Sequence, residues 1–510
     1  MKTAHPARRA ALGIGLMLLG LACASCGYRP TRFADQAPVT DAQDDSPIAR
    51  PRPQTFIKEL YQADVYVRRE LVGGLDLRRP PMALDVNSLD EVPRSSWYRP
   101  PADGHHPVAD YDRAGPPKPP FKVSDDKPSS GMDDSQVIVD ARGFAYELQA
   151  DVAGHPGMRT GAAAIASRLF HALGYRTAEV HIIRSHEGQR VAATRWPPGF
   201  DLGPTFIGDT RSDDPNDQLP HLQRRTLRAL PVFTGWLAMK RLRPRNLRDV
   251  YVGRRGRGHV QHLVVGLDGA LGVDDFLDQR KWVEDPDRQD SNFFLRAFSL
   301  GLSPKPPPVQ PDKLAPSVGM MNEIVLEDHA DPSPPFEPLD YLLPGDAYWA
   351  AKRVAAVDRN AIAAAIQAAK LEPLAENWLF QILMLRRDKV IAEGFAQTTP
   401  CEVVTIEPAQ DERPARLVLA NLAVQEGVQD AAAIQYWVDY FDAEGDTITA
   451  TRSLLSPGAI LDVPLPKGLS SSDYLIVRVG ALRGSATPPR AFEAHLKPTG
   501  TTFRLLGVRH

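Results

Sequence analysis

The side chains best suited to chemistry concentrate between Arg241 and Asp275. Arg241, Arg243, Arg245 and Arg248 crowd one short stretch, and Arg254, Arg255 and Arg257 follow. Asn246 and Asp249 lie among them, with Asp268, Asp274 and Asp275 further on. Guanidinium groups in such a run suit a phosphate, a lipid A head group or another polyanion; a solvated basic loop is the other reading. Asn and Asp near the end of a strand are the residue types that hold Mg²⁺ and accept a proton in phosphoryl transfer. No P-loop, HExxH, GxSxG or metal-binding CxxC accompanies them, so no motif supports a zinc hydrolase, a serine hydrolase or a P-loop nucleotidase.

Flanking elements must position these residues. Arg224 to about Met239 reads as a helix with a buried face of Leu227, Leu230, Phe233, Thr234, Leu237 and Ala238. Pro231 should kink it or start it anew. After the basic loop, His259–Val265 reads as a strand that ends in a glycine turn at Gly266. Upstream, Gln136–Asp140 and Phe144–Gln149 read as a hairpin, and Val180–Arg184 as another strand. Between them Met158–Leu173 carries apolar residues at helical spacing, with Gly174 placed to end the helix. Asp201–Pro220 is rich in Asp, Gly and Pro; it suggests Ca²⁺ or a solvated loop, and its spacing fits no EF-hand.

Asp312–Glu337 reads as an insertion, and Asp346–Lys370 and Leu374–Phe395 as helices. From Glu402 the pattern changes to short strands, seven of them between Leu417 and Val508, at the spacing of a β-sandwich. Tyr436, Trp437, Tyr440 and Phe441 on one of these strands fit either a carbohydrate or partner platform or a sandwich core.

The N-terminus has a character of its own. Lys2, Arg8 and Arg9 precede the apolar run Ala10–Ala22, which is too short to span a bilayer and suits a secretory signal. The run ends at Cys23 and Cys26, and either could be the acylated cysteine of a lipoprotein. Gly27–Pro53 is polar and proline-rich and reads as a flexible tether. Thr55–Val72 reads as a helix. Ala83–Pro101 (with Trp97 and Tyr98) reads as a ligand loop or as a brace pinned to a core. At 510 residues the chain needs two or three domains. A formal charge of -3 gives no signal for nucleic acid, and Cys23, Cys26 and Cys401 offer no disulfide framework.

Several segments, in order, resemble a family of bacterial lipoproteins with a kinase-like core, distantly related to HipA-type and phosphatidylinositol-kinase-like enzymes. They are ALDVNSLDEVPRSSWY, IVDARGFAYEL, GAAAIASRLFHALGY, DDPNDQLPHLQRRTLRALPVFTGWL, DAYWAAK, RRDKV and FRLLGV. The resemblance implies a strand lysine, a helix glutamate, a catalytic-loop aspartate with a following asparagine, and an aspartate that opens a metal loop. Here Gln149 stands for the lysine, Ala163 for the glutamate, Arg241 for the catalytic aspartate and Gly266 for the metal ligand. Asn246 and the later Asp249 remain. Losing this whole set should abolish phosphoryl transfer.

The expected fold is therefore α+β, a two-lobed kinase-like core with a C-terminal β-sandwich. Its parts would be a signal peptide (1–26), a tether (27–54), an N-terminal brace (55–120), an N-lobe (121–200), a helical C-lobe (201–398) and the sandwich (400–510). The expected role is a lipid-anchored cell-envelope binding or scaffold module, with no cofactor, no metal and no nucleic acid. Expected partners are the membrane, through the anchor, and an anionic ligand or an envelope protein. Arg241, Arg243, Arg245 and Arg248 would hold the anion. The alternatives are an atypical active kinase or transferase with displaced ligands at Asp249 and Asp268, and a surface polymer-binding protein that acts through its β-domain.

Overall fold

The computed structural model describes residues 28–54, 81–102, 104–112, 114–125, 135–185, 188–205, 210–239, 242, 246–254, 256–274, 276–277, 315–321, 341–449, 453–482 and 490–510. The signal segment with Cys23 and Cys26, the Thr55–Val72 helix, and Arg241, Arg243 and Arg245 lie outside them. The architecture is mixed α and β.

Five antiparallel strands form the first sheet: β1 (Lys122–Ser124), β2 (Gln136–Val139), β3 (Ala145–Ala150), β4 (Glu179–Arg184) and β5 (Arg190–Arg195), in the order β1-β2-β3-β5-β4. Helix α1 (Met158–Ala172) joins β3 to β4. Most of it is buried, because Ala162, Ala163, Ala164 and Ala166 are small enough for neighbouring elements to close on several sides. It ends at Gly174, where φ is 104° and a Cβ would stand 2.7 Å from the Arg99 carbonyl oxygen. Only glycine fits that site.

The second sheet is antiparallel too: β6 (Phe200–Pro204), β7 (Leu247–Arg254) and β8 (Arg257–Val264). The expected helix over 224–239 is two short ones, α2 (Arg225–Arg228) and α3 (Leu230–Trp236). Pro231 sits in the first turn of α3, where its missing N–H leaves no helical bond unmade. A continuous helix expected over Asp346–Lys370 is also divided, into α4 (Pro344–Ala356) and α5 (Arg359–Gln367). Asp358 breaks it by accepting from the Ala361 N–H as a new N-cap. Helix α6 (Pro373–Ala396) follows. One hydrophobic cluster joins α1, α3, α4, α5 and α6 with Trp97, Tyr98 and Leu267–Phe276. No helix among the described residues is long and apolar enough to cross a membrane.

Residues 401–509 form two further antiparallel sheets. One is β9 (Cys401–Glu407), β10 (Arg416–Asn421) and β13 (Ile460–Pro464), ordered β13-β10-β9. The other is β11 (Gln435–Phe441), β12 (Ser453–Leu455), β14 (Leu475–Leu482), β15 (Phe492–Thr499) and β16 (Thr502–Arg509), ordered β12-β11-β14-β15-β16. Leu417, Leu419 and Leu461 of the first share a cluster with Tyr436, Val477 and Phe492 of the second. Tyr436 and Tyr440 belong to that shared cluster, while Trp437 and Phe441 are buried outside it, Phe441 against Tyr28.

These sheets are locked to the helical layer by buried charge. Arg225 of α2 pairs with Asp90 (2.8 Å) and Asp346 (2.9 Å). His510 Nδ1 meets Asp90 at 2.8 Å, while Lys352 of α4 bridges Glu91 and Glu402.

Residues 28–54 differ from the flexible tether expected. They lie extended as a strap across several elements. The Phe33 N–H donates to Tyr474 Oη (2.8 Å), and Asp35 pairs with Lys497 at 2.7 Å. Asp44 accepts from the Ser96 N–H (2.8 Å) and hydroxyl (2.7 Å). The Ile48 N–H donates to the Gly258 carbonyl at 2.8 Å. Each acid that made the segment look solvated has a partner far away in the chain.

Candidate functional site

The positions singled out by the sequence meet on one small cavity between the first sheet, α1 and the turn after β8. Gln149, Ala163 and Gly266 all line it, together with Glu147, Ser167, Thr194, Trp196 and Asp268. Gln149 comes from β3, whose alternation turns Glu147 and Gln149 to the same face. Ala163 comes from the buried side of α1. Arg241 lies outside the described residues, so three of the four positions singled out by the resemblance line one cavity.

Asp268 organises the cavity. Its Oδ2 accepts from Gln149 Nε2 at 3.0 Å and from Arg159 Nε at 2.8 Å. Arg159 stands in the first turn of α1, which Asp151 holds in place. That carboxylate accepts from the backbone N–H groups of Gly157 (2.7 Å), Arg159 (3.0 Å) and Thr160 (2.8 Å). It does so at the end of the helix where a negative charge is favourable. Two residues before Gln149, Glu147 accepts from Trp196 Nε1 at 3.0 Å. The cavity they leave is about 40 Å³. That is room for a few waters at ~10–15 Å³ each, against ~300–1,000 Å³ for a site that encloses a drug-sized ligand.

The turn is built around a glycine. Gly266 has φ 63° and ψ 38°, and a Cβ there would stand 2.9 Å from Asn246 Nδ2. That amide donates to the carbonyls of Val265 (3.0 Å) and Gly266 (2.8 Å). Asn246, read from the sequence as a surviving metal ligand, thus has its amide nitrogen tied to the turn.

Asp249 belongs to a different network. Its carboxylate accepts from the Thr205 hydroxyl, from Arg211 Nη1 at 3.0 Å and from His262 Nδ1 at 2.8 Å. Burial pushes its pKa up, but His262, Thr205 and Arg211 overcome that and hold it below the usual carboxylate range. Nearby, Asp217 accepts from Arg211 N–H (2.7 Å), Arg224 Nη2 (2.9 Å) and His221 (2.7 Å). Trp97 stacks on His262 with ring centroids 3.6 Å apart. The described part of the Asp201–Pro220 stretch differs from the solvated loop expected: it contributes to β6 and buries Asp214 and Asp217. Arg248 pairs with Asp201, so this member of the expected anion-binding cluster is already neutralised. Among the described residues no three His, Cys, Asp or Glu side chains converge to hold a metal ion.

Sequence reasoning missed Arg159, Asp151, Glu147 and Trp196. Asp151 carried a readable signal, since it stands between a strand and a helix whose first turn has no acid. Arg159, by contrast, reaches Asp268 across 109 residues of sequence, and no local pattern marks such a pair. Asp268, read from the sequence only as a displaced ligand in the active-enzyme alternative, is the residue that reaches Gln149.

No family model matches the chain, and no curated protein matches it in sequence. Among solved structures, the chain is similar to a Helicobacter pylori proinflammatory kinase, CtkA, at 12% identity and a TM-score of 0.33. The match covers 55% of this chain and 99% of that one.

Proposed function

We propose that this is a lipid-anchored cell-envelope protein whose kinase-like core has degenerate catalytic positions and acts as a binding or scaffold module. In this reading the first sheet with α1 is an N-lobe, the helices and β6–β8 belong to a C-lobe, and residues 401–509 are a β-sandwich. The order of elements supports the assignment: α1 lies between the third and fourth strands, and the β7–β8 hairpin leads to a turn under α1.

The observation that carries the proposal is the engagement of Asp268. In an active kinase a lysine–glutamate pair orients the phosphates, and the metal-loop aspartate faces Mg²⁺. Here the one carboxylate of the turn that faces the cavity is neutralised by Arg159 at 2.8 Å and bonded by Gln149 at 3.0 Å. The cation comes from the start of α1, while the glutamate position on the same helix is Ala163. Both bonds fall on Oδ2, so a metal bound at that oxygen would have to displace a partly buried ion pair.

The anchor on Cys23 or Cys26 and the anion site on Arg241, Arg243 and Arg245 are parts of the same proposal. Labelled palmitate should be incorporated by the wild type and lost in whichever of Cys23→Ser or Cys26→Ser removes the acceptor. For the core, transfer of labelled γ-phosphate from ATP to the protein itself or to a generic acceptor, with Mg²⁺ or Mn²⁺, tests the reading. The expected result is no transfer above that of an Asp268→Asn control. Transfer that depends on Asp268 or Asp249 would establish an active enzyme instead.

A further inference from the structure

A much larger cleft lies elsewhere and shares no lining residue with the Asp268 cavity. It has a volume of about 550 Å³ and forms where the strap, the 82–95 loop, the start of α2 and the end of β16 meet. That volume falls in the range of ~300–1,000 Å³ usual for sites that enclose a small ligand.

Its lining has two chemistries. Val39, Met82 and Leu84 belong to it and are 50%, 50% and 51% exposed. Large apolar side chains left half in water and gathered on one rim mark a surface that something covers. The second chemistry is a set of donors without acceptors. Arg224 Nε, Arg509 Nε and Ser88 Oγ are buried without a hydrogen-bond partner. Arg224 is only 3% exposed; its Nη2 is engaged by Asp217 and its face lies on Trp97, which leaves Nε unsatisfied. A buried donor in that state is unfavourable, and an acceptor on a ligand would relieve it. Arg490 lines the same cleft, is exposed, and makes no ion pair among the described residues.

The acids of the cleft are already engaged. Asp85 accepts from the backbone N–H groups of Arg225 and Thr226, and Asp90 and Asp346 pair with Arg225. Arg224 is paired with Asp217, so the lining cations without an ion pair among the described residues are Arg490 and Arg509, and the unmet hydrogen bonds are those of Arg224 Nε, Arg509 Nε and Ser88 Oγ. An occupant must bring acceptor oxygens, negative charge and an apolar body.

We propose that this cleft binds an amphiphilic anion: a single alkyl chain with a phosphate or carboxylate head, the head taken by Arg224, Arg490 and Arg509 and the chain covering Val39, Met82 and Leu84. The proposal is independent of the reading of the Asp268 cavity.

Isothermal titration of the purified protein with n-decyl phosphate below its micelle concentration tests it. Inorganic phosphate and n-decanol are the comparison ligands. The expected result is one site, with each comparison ligand weaker by about tenfold or more. Leu84→Asp and Arg490→Glu should each weaken decyl phosphate by about tenfold, because one removes apolar cover and the other reverses a charge. Both side chains are exposed, and the Leu84 N–H keeps its bond to the Gln223 carbonyl, so both variants should melt like the wild type. Met82→Asp provides a second lip variant. Absence of decyl phosphate binding, or binding that ignores all three substitutions, would overturn the proposal. Equal binding of decanol would remove the anionic head from it, and equal binding of inorganic phosphate would remove the chain.

Discussion

Placing an aspartate at Gly266, where the resemblance implies a metal ligand, should damage this protein rather than activate it. The perturbation is Gly266→Asp. Gly266 occupies the left-handed region at φ 63°, where a non-glycine residue costs about 1–2 kcal/mol, with Asp near the lower end. Its new Cβ would stand 2.9 Å from Asn246 Nδ2, so the amide must move. That amide donates to the carbonyls of Val265 (3.0 Å) and Gly266 (2.8 Å). Weakening two such bonds adds about 1–2 kcal/mol. The total is roughly 2–4 kcal/mol, which in a domain of ~150–250 residues lowers the melting temperature by about 5–15 °C. Urea unfolding of wild type, Gly266→Asp and Gly266→Ala would measure it. Gly266→Ala should lose a similar amount, since the backbone and the Cβ are responsible and the carboxylate is not. A Gly266→Asp variant with wild-type stability, or one that gains Mg²⁺-dependent nucleotide binding, would refute this account of the turn.

Arg159→Ala should leave Asp268 partly buried with Gln149 alone and cost about 2–3 kcal/mol, and the double variant Arg159→Ala/Asp268→Asn should recover part of that in a double-mutant cycle. Stability should fall in acid. Burial would raise the carboxyls of Asp90, Asp217 and Glu402, but Arg225, His221 and Lys352 respectively are the main groups holding them low. A depressed pKa stabilises the fold above the unfolded value near ~4 and is lost as pH falls through the folded value, so the urea midpoint should drop below pH ~4, and less steeply in Asp90→Asn. Gly507→Ala should loosen the strap, because a Cβ there would stand 2.6 Å from the Phe33 ring; limited trypsin digestion should then cut faster after Arg32.

Local rules made much of this chain legible before its fold was known. Helix α1 was readable because its apolar spacing and Gly174 agree on one element. So were α6 and most strands beyond Glu402, where alternation and turn residues recur. The strand β7 was not: Arg248, Asp249 and Arg254 disguise it as part of a basic loop. Its polar residues are tolerated because Asp249 meets Arg211 and His262, and Arg248 meets Asp201, all from other segments. The strap failed for the same reason, with acids whose partners lie far off in sequence, as Asp35 does with Lys497. Gln149, Ala163 and Gly266 were placed from the order of elements, while the Arg159–Asp268 pair is a tertiary contact without a periodic signature.

The central claim, that the core does not handle Mg²⁺-nucleotide, is tested most directly by a thermal shift of the purified protein with ATP, with and without Mg²⁺. A ligand at ~100 times its Kd stabilises by about 2.7 kcal/mol, which a melting curve resolves. The account predicts the same melting temperature in all conditions. A rise that requires both ATP and Mg²⁺, and that disappears in Asp268→Asn, would contradict it.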